Sequence, residues 1–310
     1  MKIVVTSTSF AKNDTLRMEA AVAFKGHSLT FCDPRAELVD SELFEFIRGA
    51  EVVIAGKEKF DAELLSRLPE IKAICKYGVG IDNIDLLALE AQGVELFYEP
   101  GVNKEAVAEH TIGLMLAVLR RIAISSRLLH HGTWLKDGGV SLTGKTVAII
   151  GCGACGGAVA RLLRAFSCNL LLVDIVDIAE IASLTEGKIT SLSYALRHAD
   201  VVSLHVPLTS ETKKMISFQE FSMMKPTAVL INTSRGEVVE ENALISVLES
   251  RAIMGAGVDV FEKEPLTSKR LYSLENIVAT PHIAGNSREA VLAMGRAAIR
   301  GVREFVLKNA

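Results

Sequence analysis

The sequence has little of several features that mark particular classes of protein. Cysteine occurs 5 times in 310 residues, an odd number scattered over a long chain, so we predict free thiols rather than a disulfide framework. Basic residues number 34 against 37 acidic ones, and the formal net charge of −3 supplies no basic field for a nucleic-acid backbone. We therefore expect no nucleic-acid partner.

Long apolar segments are also lacking. The most apolar run, IGLMLAVL at Ile112–Leu119, is far shorter than the roughly 20 residues that a helix needs to cross a bilayer. The N-terminal sequence MKIVVTSTSF predicts a strand with polar flanks and lacks the pattern of a signal peptide. These absences predict a cytoplasmic protein with no membrane partner.

Apolar strand-like runs alternate with helix-compatible segments along the chain. This alternation predicts parallel sheets that helices cover on both faces. The runs are too numerous for one ordinary sheet, so we predict two α/β lobes with a break near Glu99-Pro100-Gly101. The strand-like runs are KIVVTS, LTFCD, VVIAG, AICKYG, VELFYE, TVAIIG, LLLVD, VVSLHVP, AVLINTS, GAGVDV and IVATPH.

The longest candidate helix covers Lys104–Ser125. It is apolar nearly all round, and a helix of this kind is buried on every side. Its cover can come from the rest of the monomer or, in part, from a second subunit. Of these alternatives we favour a homodimer in which this helix lies at the contact.

Glycine is concentrated in one short stretch, GCGACGG, which begins at Gly151. Gly151, Gly153 and Gly156 have the G-x-G-x-x-G spacing, which by itself is weak evidence for a phosphate-binding turn. The stretch follows the predicted strand Thr146–Ile150 and precedes a helix-compatible segment, Gly157–Phe166, and this context predicts dinucleotide binding. The phosphates then face the N–H groups and the positive dipole end of the helix.

An acidic residue follows where a carboxylate is expected to bind the ribose of the adenosine half. Asp174 ends the next strand, 23 residues after Gly151. A carboxylate at this position accepts hydrogen bonds from ribose hydroxyls and repels a 2′-phosphate, and Ile175 and Val176 supply no arginine to receive one. The sequence therefore predicts NAD rather than NADP as the cofactor.

Cys152 and Cys155 lie between the glycines and permit three interpretations. A metal site needs two more ligands at suitable spacing, and the sequence has no second C-x-x-C and no H-x-x-x-H, so we predict no metal. We favour the interpretation that both are small apolar fillers of a tight turn. The alternative is a redox-sensitive thiol whose pKa the helix N-terminus lowers.

Three motifs at predicted strand ends carry an arginine, a set of carboxylates and a histidine. They are INTSRG with Arg235, GVDVFEKEP with Glu262 and Glu264, and TPHIAG with His282. Open α/β sheets bind their ligands at such strand ends. An arginine can hold a carboxylate or carbonyl with fixed donors, and a histidine can transfer the alcohol proton while a carboxylate orients it. These groups match hydride transfer on a 2-oxo acid.

The chain resembles the D-isomer-specific 2-hydroxyacid dehydrogenases, most closely their phosphoglycerate dehydrogenase-like branch. The resemblance covers nearly the whole chain. It implies that Arg235, Glu264 and His282 are catalytic, with Glu264 preferred over Glu262. It also implies a substrate site formed by Gly78, Val79 and Gly80 together with Arg235 and His282. The motifs that carry it are YGVGIDNID, PGVNKEAVAEH, GCGACGG, HVPLT, INTSRG, GVDVFEKEP and TPHIAGNS.

The same resemblance implies the fold, the enzyme class and the cofactor contacts. The implied fold has two Rossmann-like lobes, in which a doubly wound NAD-binding domain at residues 99–285 is inserted in a flavodoxin-like substrate domain at residues 1–98 and 286–310. The implied activity is that of an NAD-dependent oxidoreductase acting on the CH-OH group of a 2-hydroxy acid. The implied cofactor contacts are Gly151, Gly153, Ala154, Cys155, Gly156, Asp174, Val206, Pro207, Thr233, Asp259 and Gly285.

The sequence alone leaves the substrate open. Phosphoglycerate dehydrogenases generally have a phosphate-binding arginine at the end of the third strand of the first lobe, but the matching segment Val53-Ile-Ala-Gly56 has none, and only Lys57 and Lys76 are nearby cations. D-3-phosphoglycerate or a related phosphorylated acid is one candidate substrate. The alternative enzyme is a glyoxylate or hydroxypyruvate reductase, and the alternative of another class is an NAD-binding corepressor.

Overall fold

The structure is a computed structural model that describes residues 1–35 and 38–309. The chain divides into two compact units, Met1–Asn103 with Asn286–Ala310, and Lys104–Gly285. Each unit has one all-parallel sheet between two apolar clusters, which confirms the predicted α/β class with two Rossmann-like lobes. Which unit takes the substrate and which takes the cofactor stays a prediction, as do the predicted domain boundaries.

Up to Asn103, the described residues of the first unit form five strands, with one or two helices between successive strands. In chain order they are β1 (Lys2–Val5), α1 (Thr8–Lys12), α2 (Asp14–Ala23), β2 (Ser28–Phe31), α3 (Asp40–Ile47), β3 (Val52–Ala55), α4 (Ala62–Ser66), β4 (Ala73–Lys76), α5 (Leu86–Gln92) and β5 (Glu95–Phe97). The strands form a parallel sheet in the order β2-β1-β3-β4-β5. This is the flavodoxin-like order, in which the direction of strand succession reverses between β1 and β3.

Burial on both faces explains why these strands are apolar throughout. In β1, Ile3 and Val5 belong to one apolar cluster and Val4 belongs to the other, and all three are fully buried. Successive side chains of a strand face opposite sides of the sheet, so a strand covered on both sides requires an apolar residue at every position. The continuous apolar runs of the sequence follow from this geometry.

The second unit has seven strands and eight helices. They are α6 (Lys104–Leu119), α7 (Ile122–His130), β6 (Thr146–Ile150), α8 (Ala154–Leu163), β7 (Asn169–Val173), α9 (Ala179–Thr185), β8 (Lys188–Ile189), α10 (Leu192–His198), β9 (Val201–Leu204), α11 (Phe218–Met223), β10 (Val229–Asn232), α12 (Glu241–Glu249), β11 (Gly255–Val258), α13 (Lys269–Ser273) and β12 (Ile277–Ala279). The parallel sheet has the order β12-β11-β10-β9-β6-β7-β8. Strand succession reverses between β6 and β9, and the carboxyl ends of these strands mark the dinucleotide position of a doubly wound sheet.

The predicted helix Lys104–Ser125 is two helices, so this prediction was wrong in its extent. α6 ends at Leu119, Arg121 adopts a left-handed conformation with φ of 54°, and α7 begins at Ile122. The cause is a distant segment, because the N–H of Val140 donates to the Leu119 carbonyl at 2.9 Å. A continuous helix needs that carbonyl for its own hydrogen-bond ladder.

Two further elements differ from the sequence prediction. The helix after the glycine stretch begins at Ala154 rather than at Gly157, and its last predicted residues, Arg164–Phe166, form a 3-10 turn. The strand β8 was not predicted, because its two residues are exposed and form no apolar run. Glycine has a low helix propensity, so propensity alone does not predict that the helix begins within the glycine stretch. The close packing of these glycines overrides that propensity.

The last helix, α14 (Arg288–Lys308), belongs to the first unit. It contributes Met294, Ala298 and Phe305, among others, to the apolar cluster that also contains β1 and β4 residues. A Cβ added at Gly295 would lie 2.3 Å from Leu16 Cδ1, and one at Gly301 would lie 2.7 Å from Phe97 Cβ. Glycine at both positions therefore allows α14 to pack closely on α2 and β5. Among the described residues, no helix is both long and apolar enough to cross a membrane.

Candidate active site

The three glycines after β6 form a cradle with one open side. Gly151 has φ of +89°, and a Cβ there would lie 2.8 Å from the carbonyl carbon of His205. A Cβ at Gly156 would lie 1.9 Å from the Gly151 carbonyl oxygen, so a side chain is excluded there as well. At Gly153, by contrast, an added Cβ would meet no atom within 4 Å. The turn is thus closed on the protein side and open at the glycine where a pyrophosphate is expected to approach.

The helix that follows this turn presents its N-terminus without a side-chain cap. Gly153 is the cap residue of α8 and makes no capping hydrogen bond through a side chain. The first N–H groups of a helix have no partners within the helix, and with the positive dipole end they attract anions. The residues present therefore fit the phosphates of a dinucleotide.

Asp174 lies beside the same turn, after β7. Its Oδ2 accepts from the N–H of Cys152 at 2.6 Å, and its Oδ1 accepts from the N–H of Ile175 at 2.7 Å. Oδ1 also accepts from the N–H of Val176 at 3.3 Å. Oδ2 has a second lone pair, so a ribose hydroxyl can still donate to that oxygen. Ile175 and Val176 are exposed and carry no charge that could receive a 2′-phosphate. The geometry fits the predicted ribose contact, which stays a prediction.

The two thiols of the cradle do not have the lowered pKa that redox sensitivity requires. Cys152 is buried, and this burial together with the charge of Asp174 raises the pKa of its thiol to about 11. Burial also raises the pKa of Cys155, and the charges of Arg235 and Lys104 only partly oppose that rise. A raised pKa favours the protonated thiol, which is a poor nucleophile, as expected of packing residues.

We expect mild peroxide to leave the affinity for NAD unchanged, because protonated thiols are poor nucleophiles. The measurement is the Kd for NADH before and after treatment, with Cys155→Ala as the matched variant that cannot be oxidised at this position. A loss of affinity that dithiothreitol reverses, and that Cys155→Ala prevents, would show that Cys155 is a redox switch.

His282, in the loop after β12, and Glu264, in the loop after β11, form a close pair. The Nδ1 of His282 lies 2.7 Å from Oε2 of Glu264. This hydrogen bond raises the pKa of His282, and the negative charge of Glu264 adds to the rise against the effects of burial and of Arg235. For Glu264, burial tends to raise the pKa, but the bond to His282 and the nearby positive charges lower it overall. The pair therefore favours an imidazolium beside a carboxylate.

The structure distinguishes Glu264 from its neighbour Glu262. Besides its contact with His282, Glu264 accepts from the N–H of Phe261 at 3.1 Å, which fixes the carboxylate in place. Glu262 accepts instead from the N–H of Glu241 at 3.0 Å, at the start of α12. Only Glu264 of these two carboxylates has a hydrogen bond to the histidine, although its catalytic role stays a prediction.

Arg235 lies in the loop that follows β10, the strand adjacent to β11. Its Nη1 donates to the Ser234 carbonyl at 2.8 Å. The charge of Arg235 contributes to the pKa shifts of both His282 and Glu264, so the guanidinium lies within electrostatic range of the pair. Because β10, β11 and β12 are neighbours in a parallel sheet, their carboxyl ends bring the three predicted catalytic groups to one edge.

Asp259 holds the loop that carries His282. This buried carboxylate, 1% exposed, accepts from the N–H of Ile283 at 2.9 Å and from the N–H of Ala284 at 2.7 Å. Its backbone carbonyl accepts from the N–H of His282 at 2.8 Å. His282 itself has a left-handed φ of 54°, which is unusual for a residue with a side chain and persists where surrounding bonds impose it. The predicted cofactor contact of Asp259 stays a prediction.

Further predicted cofactor contacts lie in the loop after β9 and at the end of the His282 loop, and His205 is their neighbour in the first of these. His205 follows β9, and its Nε2 lies 2.8 Å from Ser203 Oγ, while burial lowers the pKa of the ring to about 4 and keeps it neutral. The side chain of Val206 would be 2.9 Å from a Cβ at Gly151, so it closes the turn. Pro207 and Gly285 follow β9 and the His282 loop respectively, and their contacts with the cofactor stay predictions.

Gly78, Val79 and Gly80 belong to the first unit and lie in the loop after β4, from which Tyr77 separates them. Gly78 has φ of +120°, a conformation that favours glycine. Their predicted role in binding the substrate carboxylate stays a prediction.

Sequence reasoning assigned no role to three polar residues that the structure places beside the site. His110 Nε2 lies 2.9 Å from Thr280 Oγ1, and Thr111 Oγ1 lies 2.9 Å from Thr233 Oγ1. The available signal was the position of His110 and Thr111, two adjacent polar residues on the otherwise apolar part of α6.

The second unit matches a protein-family model over residues 112–284, and that model describes the NAD-binding domain of the D-isomer-specific 2-hydroxyacid dehydrogenases. The chain belongs to this family. It is 37% identical over 277 residues to a glyoxylate reductase of Thermococcus litoralis, covering 86% of this chain and 81% of the relative. It is also 37% identical over 247 residues to a D-3-phosphoglycerate dehydrogenase of Archaeoglobus fulgidus, covering 79% of this chain and 47% of the relative.

A solved structure supports the same membership. The D-lactate dehydrogenase of Aquifex aeolicus, complexed with NAD and lactic acid, superposes with a TM-score of 0.84 at 28% identity, covering 99% of this chain and 96% of that one. This member of the 2-hydroxyacid dehydrogenase family is therefore an oxidoreductase that acts on 2-hydroxy acids with NAD as its cofactor. The predicted family, enzyme class and cofactor are confirmed.

Proposed function

We propose that the enzyme reduces a small, unphosphorylated 2-oxo acid of the glyoxylate or hydroxypyruvate type, with NADH as the hydride donor. The observation that carries the chemistry is the 2.7 Å contact between His282 and Glu264 within the charge field of Arg235. The overall reaction converts a 2-oxo acid, NADH and one proton to the 2-hydroxy acid and NAD⁺. Bound NADH supplies the hydride to the carbonyl carbon.

His282 supplies the proton in this proposal. Because its Nδ1 is bonded to Glu264, Nε2 is the nitrogen that faces the substrate, and it gives its proton to the carbonyl oxygen as the C–H bond forms. Glu264 stabilises the imidazolium before the transfer, which keeps the acid form available towards neutral pH. In the oxidative direction the neutral ring accepts the same proton from the alcohol.

Arg235 binds the substrate in this proposal. A guanidinium offers parallel N–H donors that match a carboxylate or the pair of oxygens of a 2-oxo acid. The backbone N–H groups of Gly78, Val79 and Gly80 are proposed to donate to the other end of the carboxylate, because consecutive N–H groups in such a loop form an anion site. In this proposal the donors of Arg235 orient the carbonyl for proton transfer from His282.

The residues near the end of β3 favour a substrate without a phosphate group. The residue at the end of β3 is Ala55, fully buried, where the phosphoglycerate enzymes carry an arginine. Glu58 Oε2 accepts from Thr6 Oγ1 at 2.7 Å and from the N–H of Gly56 at 2.8 Å, which fixes a carboxylate beside the point where the strand order of the first unit reverses. Lys76 Nζ donates to Asn83 Oδ1 at 2.8 Å and to the Gly56 carbonyl. The carboxylate of Glu58 opposes a phosphate at this ligand position, and the ammonium of Lys76, which would favour one, is already bound by two protein oxygens.

The test is a panel of 2-oxo acids followed by NADH absorbance: glyoxylate, pyruvate, hydroxypyruvate and 3-phosphohydroxypyruvate. We expect kcat/KM to be highest for glyoxylate or hydroxypyruvate and at least about tenfold lower for the phosphorylated acid. Glu58→Gln keeps the size of the side chain and should reduce this difference. A preference for 3-phosphohydroxypyruvate in the unmodified enzyme would contradict the proposed substrate and leave the family assignment intact.

We propose that Asp174 causes the preference for NADH over NADPH. Its carboxylate accepts from the ribose hydroxyls of NADH and repels the 2′-phosphate of NADPH, so Asp174→Ala should raise the Kd for NADH and lower the Kd for NADPH. The measurement is the Kd of each cofactor by fluorescence titration. Equal Kd values for the two cofactors in the unmodified enzyme would contradict the role of Asp174.

We propose a homodimer. Because of the burial seen in the structure, we place the proposed contact on α7 and the segment after it instead of on α6. In α6, Ile112, Leu114 and Met115 lie in the apolar cluster of their own unit, so this helix has its cover within the monomer. The next helix, α7, has no buried residue. Exposed apolar side chains continue through and beyond it, namely Ile122 (54%), Leu129 (56%) and Trp134 (78%). Several exposed apolar side chains within one short segment favour contact with a second copy of the chain.

Sedimentation should therefore give twice the chain mass of 33.5 kDa. Leu129→Ser should shift the distribution towards the monomer, because it places a hydroxyl in the proposed contact. Leu87→Ser is the matched control, since Leu87 is 79% exposed on α5, outside the α7 segment. An active monomer at micromolar concentration, or equal effects of the two substitutions, would contradict the proposed dimer.

A further inference from the structure

One hydroxyl group links α6 to the loop of His282. The Thr280 hydroxyl donates to Asp259 Oδ1 at 2.6 Å. A hydroxyl has one proton, so the 2.9 Å contact between Thr280 Oγ1 and His110 Nε2 requires the ring N–H of His110 to donate. Asp259 in turn binds the two N–H groups that follow His282, as described above. The chain of hydrogen bonds therefore runs from His110 to the backbone that holds His282.

A second hydroxyl links α6 to the loop of Arg235. Thr111, fully buried, donates its one hydroxyl proton to the Val107 carbonyl at 2.7 Å. In the 2.9 Å hydrogen bond between Thr111 and Thr233, the Thr233 hydroxyl is therefore the donor. Thr233 lies directly after β10 and two residues before Arg235, just as Thr280 lies two residues before its histidine.

Close packing of α6 on the sheet makes both links possible. Strand β11 contains Gly255 and Gly257. Neither has a positive φ, so glycine is needed at these positions for the room that it leaves and not for its backbone conformation. An added Cβ at Gly255 would lie 3.1 Å from Val118 Cγ1, and one at Gly257 would lie 3.0 Å from Leu114 Cβ. The helix is thus held against β11, the strand between the two loops, at a distance that short side chains span.

We propose that His110 and Thr111 are positioning residues of the active site, which set its two loops in register with each other. His110 acts on the loop of His282, and Thr111 acts on the loop of Arg235. Because the two are adjacent on one rigid helix, a single element fixes the proton donor and the substrate-binding cation at the same time. The inference rests on the proposed function for the roles of the two loops.

The two positions should give different kinetic effects. His110→Phe removes the donor at nearly constant ring size, and we expect kcat to fall about tenfold with little change in KM, since proton transfer depends on the placement of His282. Thr111→Val is isosteric, and we expect KM to rise about tenfold with a smaller change in kcat, since Arg235 binds the substrate. The Tm and the far-UV circular dichroism spectrum serve as controls for folding.

Conservative variants should restore function at each position. His110→Gln keeps an N–H donor near the place of Nε2, and Thr111→Ser keeps the hydroxyl, so both should recover most of the loss. If His110→Gln is as impaired as His110→Phe, the hydrogen bond is not the cause and the inference is wrong. Should His110→Phe fail to fold, Thr280→Val removes the same bond from the other side.

A measurement without turnover separates this inference from the proposed function. We expect NMR titration of the His282 ring in the protein without ligands to give a lower pKa in His110→Phe than in the unmodified protein, because displacement of the loop weakens the bond to Glu264. His110→Gln and Thr111→Val should titrate like the unmodified protein. Unchanged titration and unchanged kcat in His110→Phe would overturn the inference, whereas failure of the unmodified protein to reduce any 2-oxo acid would overturn the proposed function instead.

Discussion

Replacing His282 with asparagine should lower kcat by about 10²–10⁴-fold, the usual contribution of a positioned acid or base, while the Kd for NADH stays nearly unchanged. Asparagine preserves a hydrogen-bonding side chain of moderate size but cannot transfer a proton at neutral pH. The measurement is steady-state reduction of the best acid from the substrate panel, with NADH affinity determined separately. His198→Asn is a matched control, because His198 is exposed and lies at the end of α10.

The dependence of the rate on pH should identify the same residue. Reduction requires the protonated ring, so kcat is highest at low pH and falls as pH rises through the pKa of His282, which Glu264 holds above its ordinary value. Glu264→Gln removes the negative charge and should move that fall to lower pH without abolishing turnover. A His282→Asn enzyme with the unmodified rate, or an unchanged pH profile in Glu264→Gln, would show that the acid lies elsewhere.

The second large effect should come from Arg235. Arg235→Ala should lower kcat/KM by about 10²–10³-fold, comparable to the loss of one preorganised donor at a developing charge. Arg235→Lys should be nearly as impaired, because the charge remains while the parallel N–H donors are lost.

The control for this prediction is Arg197→Lys, at an exposed position on α10. That variant should have the unmodified kcat/KM. Near-normal activity of Arg235→Lys would mean that the site needs only a positive charge, and binding through two parallel donors would then be the wrong description of the substrate contact.

The strands could be predicted from the sequence because burial on both faces leaves a strong local signal. Runs such as TVAIIG became β6 with few changes at the ends. The strand β8 was missed because an exposed edge strand of two residues has no apolar run. The end of α6 was missed because a hydrogen bond from Val140, far along the chain, stops the helix at Leu119. Local sequence does not contain such a contact.

The candidate site likewise has residues that the sequence could identify and contacts that it could not. Arg235 and His282 could be found because each stands in a motif at the end of a strand, and parallel strands bring such ends together. Spacing alone could not choose between Glu262 and Glu264, since two residues separate them, and their partners are set by the folded loop. The links through Thr233 and Thr280 are also tertiary, and they became visible only when α6 was placed against the sheet.

The position of α14 has a consequence for the order in which the protein folds during synthesis. The residues of the second unit are contiguous, so they can fold once they have left the ribosome. The first unit still lacks the helix that packs on Leu16 and Phe97 through Gly295 and Gly301. Its apolar cluster can close only after residues 286–309 have been made. The part of the chain that is synthesised first is therefore the last to complete its fold.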